Sequence, residues 1–387
     1  MTNSKTNVAV VGIGAMGRGL IPLLNKTHDI QVVAIADKNP KALENIKPLL
    51  SNKIKATTNA QDVFNSNPDI LIDATDSVYE AAVFINHALE HKIHVIMLNS
   101  YVDQTFGRLL AKKAEENGVI LTSDAGDQDG VLIRTINDIH SMGFQIVMAG
   151  NNKGFLERYA NPESIKEEAE KRCISTKQCT AFTDGTKLAM EMALVANTLN
   201  LDILQEGMTG PRIKNVQDVL TVFDLDKARE LGGVVDYVLG AEPGGSVFVI
   251  GYSNDENERF YMNYYKMGEG PYYVFVRPYH LCHFETPIAI QRIMNNNESI
   301  LVQKKRVLEV GCRAKTNLKS ETKLDGIGGH HIYGILEKPG NLPIGLVEGT
   351  TLKRSKKKDE VIGWDDVEFK DNDPRLNFWK EQTKLEA

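Results

Sequence analysis

Near the middle of the chain, Phe182-Thr183-Asp184-Gly185-Thr186-Lys187-Leu188 puts an acid and a base three residues apart, with Glu191 four residues further on. At helical spacing Asp184, Lys187 and Glu191 share one face. Such a face can polarise a carbonyl and move a proton during hydride transfer. On a solvated helix the same residues would be intrahelical ion pairs and nothing more. Upstream, Asn151-Asn152-Lys153-Gly154 ends an apolar run, and Lys153 there can hold a phosphate or carboxylate as a point charge. His280, Cys282, His283 and Glu285 have metal-ligating side chains. In a strand, however, His280 and Cys282 point one way and His283 the other, so one metal does not take them all. His280 and Arg277 are expected to line the cleft or pack beneath it. A divalent metal is compatible with this chemistry, but no ligand set is assigned.

Hydride chemistry needs a cofactor. Gly12-Ile13-Gly14-Ala15-Met16-Gly17 follows an apolar strand and opens a helix, and Asp37 ends the next strand about 20 residues beyond, which together make the dinucleotide fingerprint. Gly12 permits the turn, Gly14 lets backbone approach a pyrophosphate, and Gly17 lets helix pack on sheet. The helix start at Ala15 and Met16 faces the negative charge. Asp37 is expected to accept hydrogen bonds from the adenosine ribose, which favours NAD; the adjacent Lys38 keeps NADP open. Thr75 and Asp76, in the loop after a later strand, and Asn99, after the one that follows, fall at the carboxyl edge where the nicotinamide half rests.

Elements to position these groups can be read along the chain. Val8 to Val11, Ile30 to Ala36, Ile70 to Ala74, His94 to Leu98 and Val119 to Thr122 are apolar strand runs separated by helical patterns. That alternation predicts an α/β, doubly wound parallel sheet, a Rossmann domain over residues 1–147. Residues 148–303 are read as an α+β catalytic and oligomerisation domain. Its helix starts at a capping Asp184, and its antiparallel strands run Val247 to Tyr252, Phe260 to Tyr265 and Tyr272 to Arg277. A small β-rich portion and tail fill residues 304–387. An open, aromatic-rich sheet face between Val247 and Val276 would need covering, which predicts a homo-oligomer.

Composition narrows the class. Hydrophobic residues at 42% and charged residues at 25% are ordinary for a globular protein, and the net charge of -6 gives no reason to expect nucleic acid. The run Lys353-Arg354-Ser355-Lys356-Lys357-Lys358 is followed by Asp359 and Glu360 and reads as a solvated loop. No stretch is long and apolar enough for a membrane span, and the first residues lack a signal-peptide core. Four cysteines without paired spacing fit a reducing compartment. A cytoplasmic enzyme with a small, anionic substrate is the expectation.

These motifs, in this order, resemble homoserine-dehydrogenase-like oxidoreductases. Arg277-Pro278-Tyr279-His280-Leu281, Glu285-Thr286-Pro287 and the SAF-like segment from Lys315 to Gly329 are similar to the branch containing enzymes like 1-deoxy-D-xylulose-5-phosphate reductoisomerase. The resemblance implies NAD(P)-dependent reduction of a small phosphorylated sugar, ketose or polyol, with or without rearrangement of its carbon skeleton. It makes Lys187 the acid/base lysine, with Asp184 and Glu191 orienting substrate or a metal and Lys153 holding the anionic end. One departure stands out. Homoserine dehydrogenases carry an Asn-Lys pair where this chain reads Leu98-Asn99-Ser100-Tyr101, which argues against homoserine itself. Simple alcohol or aldehyde dehydrogenation, as in cell-surface sugar biosynthesis, and a cofactor-binding sensor or scaffold without turnover are the alternatives.

Overall fold

The computed structural model describes residues 5–51 and 53–386; residues 1–4, read above as lacking a signal-peptide core, lie outside them. The first half alternates strand and helix: β1 (Thr6–Val11), α1 (Ala15–Lys26), β2 (Ile30–Ala36), α2 (Pro40–Ile46), β3 (Lys55–Thr57), β4 (Ile70–Asp73), α3 (Tyr79–Glu90), β5 (His94–Met97), α4 (Ser100–Asn117) and β6 (Leu121–Ser123). Its six strands lie in the order β3-β2-β1-β4-β5-β6, every pairing parallel. Helices cover both faces, so the central strands carry continuous apolar runs: Val8, Ala9, Val10, Ile70, Leu71 and Ile72 are fully buried. The strand order reverses between β1 and β4, and the crevice at their carboxyl ends is where such sheets bind ligands. Only β3, a short polar edge strand, escaped the sequence pattern.

The second layer begins with α5 (Gln128–Ser141), β7 (Gln145–Lys153), α6 (Lys166–Arg172), α7 (Thr176–Thr183) and α8 (Thr186–Leu199). It continues through α9 (Val219–Val222), α10 (Leu225–Glu230), β8 (Val234–Leu239), β9 (Val247–Tyr252), α11 (Glu256–Tyr264), β10 (Tyr272–Arg277) and α12 (Thr286–Asn296). Its sheet runs β10-β9-β7-β8, with β8 parallel to β7 and β9 antiparallel to both β7 and β10. The helices α5 and α8 pack on one face. On the other, Val219, Phe223, Leu225 and Ala228 form a separate core with Met148, Val234, Phe248 and Ile250.

Three expectations change here. The segment Phe260 to Tyr265 lies mostly in α11 rather than in a strand. Asp255 caps that helix by accepting a hydrogen bond from Glu258 N at 2.9 Å, and the acidic first turn outweighs the strand preference of the aromatics. The β7–β10 sheet is covered on both faces, so the open face from which an oligomer was inferred does not exist; the exposed aromatics Phe260, Tyr261, Tyr264 and Tyr265 sit at α11 instead. And α8 starts at Thr186 behind Gly185, while Asp184 closes α7.

The remainder comprises β11 (Glu309–Ala314), β12 (Ile332–Glu337), β13 (Thr351–Leu352), β14 (Val361–Ile362), β15 (Val367–Glu368) and α13 (Pro374–Thr383). The strands make an antiparallel β12-β11-β14 sheet and a β13-β15 pair. The last helix returns to α4, where buried Gln382 donates to Thr105 O at 2.8 Å and accepts from Leu109 N at 3.1 Å. Within the basic run, Lys356 pairs with Asp366 at 2.6 Å. Among the described residues no helix is long and apolar enough to cross a membrane.

Candidate active site

The glycine-rich turn forms as its residues require. Gly12 has φ +94°, and a Cβ there would lie 2.6 Å from the Ala74 carbonyl; a Cβ on Gly17 would run into the Gly12 carbonyl oxygen. Only glycine fits either place. A Cβ on Gly14 meets nothing, because that residue opens onto a cleft of about 400 Å³. Gly12, Gly14, Ala15, Met16, Asp37, Lys38, Thr75 and Asp76 line this cleft, as read from sequence, and Ser175 and Gln178 of the α7 region face it from the second layer. Asp37 also braces the turn, its Oδ2 accepting from Ile13 N at 2.6 Å. Asn99 stands behind the cleft wall, not in it. It caps α4 by accepting from Tyr101 N and Val102 N, and its amide donates to Thr75 Oγ1 at 3.2 Å and Ser77 O at 2.7 Å.

Beyond Thr75 and Asn99, a second cluster gathers where β7, α8 and the start of α5 meet. Lys187 Nζ lies 2.6 Å from Asp127 Oδ2, 3.2 Å from Glu191 Oε1 and 3.4 Å from Ser100 Oγ. The other oxygen of Glu191 is 3.3 Å from Lys153 Nζ and accepts from Asn151 Nδ2 at 3.3 Å. Glu191, its side chain 2% exposed, therefore bridges two lysines that remain open to the site at 13% and 22%. Lys153 also contacts Gln128 Oε1.

The charges are strongly coupled. Burial opposes ionisation of Asp127, but Lys187, with His280 and Lys153, overrides it and holds the carboxyl down at about 2. Burial likewise opposes the Lys187 charge, and Asp127 and Glu191 overcome it, so this ammonium lies well above its ordinary range. Asp129 goes the other way: burial and the Asp127 charge hold it well above the carboxylate range.

Lys153, Lys187 and Glu191 thus come together as the sequence indicated, while Asp184 is parted from them. Its carboxylate, buried, pairs with buried Lys315 at 2.8 Å and accepts from Thr186 N, tying the β-rich portion to the start of α8. Lys315 completes its set on Ala160 O and Gly329 O. Glu285 is taken by Arg134 at 2.7 Å and Arg277 at 2.5 Å, and His280 Nδ1 donates to Gly245 O, so the metal-like cluster is dispersed. Asp127 and Gln128 went unread, and Ser100 and Asn151 were named only within motifs and given no role. Asp127-Gln128-Asp129 follows β6 at the same carboxyl edge as the cofactor loops, which was the available signal.

Two family models match the chain: "Homoserine dehydrogenase, NAD binding domain" over residues 12–123 and "Oxidoreductase DRL, catalytic domain" over residues 126–286. The chain is 22% identical over 258 residues to a homoserine dehydrogenase of Bacillus subtilis (strain 168), covering 62% of this chain and 58% of that enzyme. Among solved structures, the WlbA dehydrogenase of Bordetella pertussis, in complex with NADH and UDP-GlcNAcA, shares 18% identity at a TM-score of 0.36, over 50% of this chain and 57% of that one. A probable dehydrogenase of Thermotoga maritima shares 13% at 0.46, over 76% and 90%. The chain thus spans less than two thirds of the homoserine dehydrogenase and of WlbA.

Proposed function

We propose that this chain, which matches a homoserine dehydrogenase NAD-binding domain and an oxidoreductase catalytic domain in turn, is an NAD(P)-dependent oxidoreductase that reduces the carbonyl of a small anionic substrate. Phosphorylated sugars, ketoses and related polyols are the substrate class. The observation that carries this reading is the position of Lys187, held by Asp127 and Glu191 and touching Ser100, next to the Asn99 that braces Thr75 of the cofactor cleft.

When bound, the nicotinamide supplies a hydride to the carbonyl carbon. As that bond forms, the carbonyl π electrons move onto oxygen, and Lys187 donates a hydrogen bond and then its proton to the alkoxide. An alkoxide is more basic than any ammonium, so even a lysine raised by two carboxylates can protonate it. In the reverse direction the same carboxylates hold the proton on Lys187, which favours reduction. Glu191 fixes both lysines through its two oxygens, leaving Lys153 to meet the anionic end of the substrate. Asp184 acts at one remove, holding the start of α8 through Thr186 N and the β-rich portion through Lys315.

A panel of phosphorylated ketoses and aldoses, 1-deoxy-D-xylulose 5-phosphate included, assayed with NADH and NADPH tests this. Cofactor oxidation with a phosphorylated compound, at least about tenfold faster than with its neutral counterpart, is expected from an anchoring charge-assisted bond. Equal rates with the neutral sugars would remove Lys153 from the substrate site. Carbon NMR of the product reads out whether the skeleton has rearranged, the reductoisomerase outcome, or stayed intact.

A further inference from the structure

Tyr101 is the second residue of α4, directly after Ser100, and neither the cofactor fingerprint nor the lysine cluster uses it. The residue is 6% exposed. Its hydroxyl is buried and has no hydrogen-bond partner. Nearly all buried polar atoms are paired, so an orphaned hydroxyl beside a ligand cleft points to a partner that arrives with the ligand. The ring borders a small cavity of about 20 Å³ together with Asp76, Gln178 and Ala181. Asp76 and Gln178 also line the cofactor cleft, so the two spaces share a wall. The cavity has room for about one water and not for a ring.

The fixed surroundings define what the hydroxyl can do. Burial pushes its pKa up, against the Lys187 charge, so it keeps its proton and can only act as an uncharged donor or acceptor. Asn99 fixes the backbone by accepting from Tyr101 N, and Thr105 Oγ1 donates to Tyr101 O. These bonds hold the Tyr101 main chain in the first turn of α4. The Tyr101 hydroxyl lies within electrostatic reach of both Lys187 of the cluster and Asp76 of the cofactor cleft.

We infer that the Tyr101 hydroxyl donates a hydrogen bond to the nicotinamide carboxamide oxygen, directly or through one water, and so sets the rotation of the nicotinamide ring. The cofactor cleft fits the group on independent grounds: Gly14, where a Cβ would meet nothing, opens onto it just before α1. The inference concerns the cofactor alone and does not rest on the substrate or on Lys187 as acid.

Binding to the whole protein, without substrate, tests it. Tyr101→Phe should weaken NADH about tenfold, the loss of one buried hydrogen bond. ADP-ribose, which lacks the nicotinamide, should bind the variant as it binds wild type. The thermal midpoint should hold or rise, since an unsatisfied buried hydroxyl is removed. In wild type, the thionicotinamide analogue of NADH, whose sulfur is a poorer acceptor, should bind several-fold more weakly than NADH, and Tyr101→Phe should erase that difference. NADH affinity within about twofold of wild type overturns the assignment. So does equal weakening of NADH and ADP-ribose, which would make Tyr101 a packing residue, and the wild-type analogue comparison decides the matter if the variant does not fold.

Discussion

Lys187 Nζ is 2.6 Å from Asp127 Oδ2 and 3.2 Å from Glu191 Oε1, so one largely buried ammonium is shared by carboxylates from the cap of α5 and the body of α8. Asp127 caps α5, accepting from Gln128 N at 3.1 Å, and Glu191 lies one turn beyond Lys187 in α8. The packing of α5 on α8 therefore fixes the direction of the lysine, and Lys187 joins the fold of the second layer to the chemistry of the first.

Buried carboxyls give the folded chain a specific pH response. Burial raises Asp73 and Asp103 to about 6 and Asp124 to about 7, outweighing the hydrogen bonds from Thr75, Ser123 and Gly126. A carboxyl raised on folding contributes stability that is complete below its unfolded value, about pH 4, and lost as pH climbs through its folded value. Asp127, held down at about 2, has the opposite sign: its contribution is present above about pH 4 and lost on acidification. Thermal unfolding followed by circular dichroism should show the highest midpoint at about pH 4 to 5 and a decline toward pH 8. A midpoint that climbs steadily from pH 5 to 8 would contradict these assignments.

Cofactor choice follows from Asp37. Its carboxylate lines the cleft, where we propose that it meets the adenosine ribose, and is pinned by Ile13 N and Asn39 N. NADH should bind at least as tightly as NADPH, whose 2′-phosphate meets that charge. Asp37→Ser should weaken NADH and narrow the gap. Titration of nicotinamide fluorescence measures both, and a wild-type preference for NADPH beyond about tenfold, roughly 1.4 kcal/mol, would assign control to Lys38.

Lys315 and Asp184 are both buried, and Asp184 also holds Thr186 N. Removing one partner strands a charge, so Lys315→Met should cost about 3–5 kcal/mol in denaturant unfolding. Lys315→Met with Asp184→Asn should recover much of it. Near-additive losses would mean that the two residues act separately.

What the sequence made legible was local. The glycine turn and Asp37 fall within one strand-helix-strand unit, each strand and helix of the alternation is a short stretch of its own, and their backbone demands are written in residue type. Lys187 and Glu191 were visible at helical spacing for the same reason. Asp127 was not, because 60 residues separate it from Lys187 and only the packing of α5 on α8 closes that distance. Asp184 was placed on the reactive face because its partner Lys315 lies far along the chain. The aromatic run after Arg259 misled because a capping aspartate and acidic first turn outweighed strand preference.

The most direct measurement of the central claim is turnover of Lys187→Ala with a substrate found in the panel, alongside NADH affinity of the same protein. The substitution leaves Asp127 without its closest cation, so stability should fall by about 3–5 kcal/mol, and rates are compared below the variant's own melting range. Loss of the proton donor should lower turnover about 10²–10⁴-fold. NADH should bind within about twofold of wild type, since Gly12, Gly14 and Asp37 are untouched. Turnover within about threefold of wild type, far short of the general-acid range, would contradict the account and leave Lys153 as the proton donor to test.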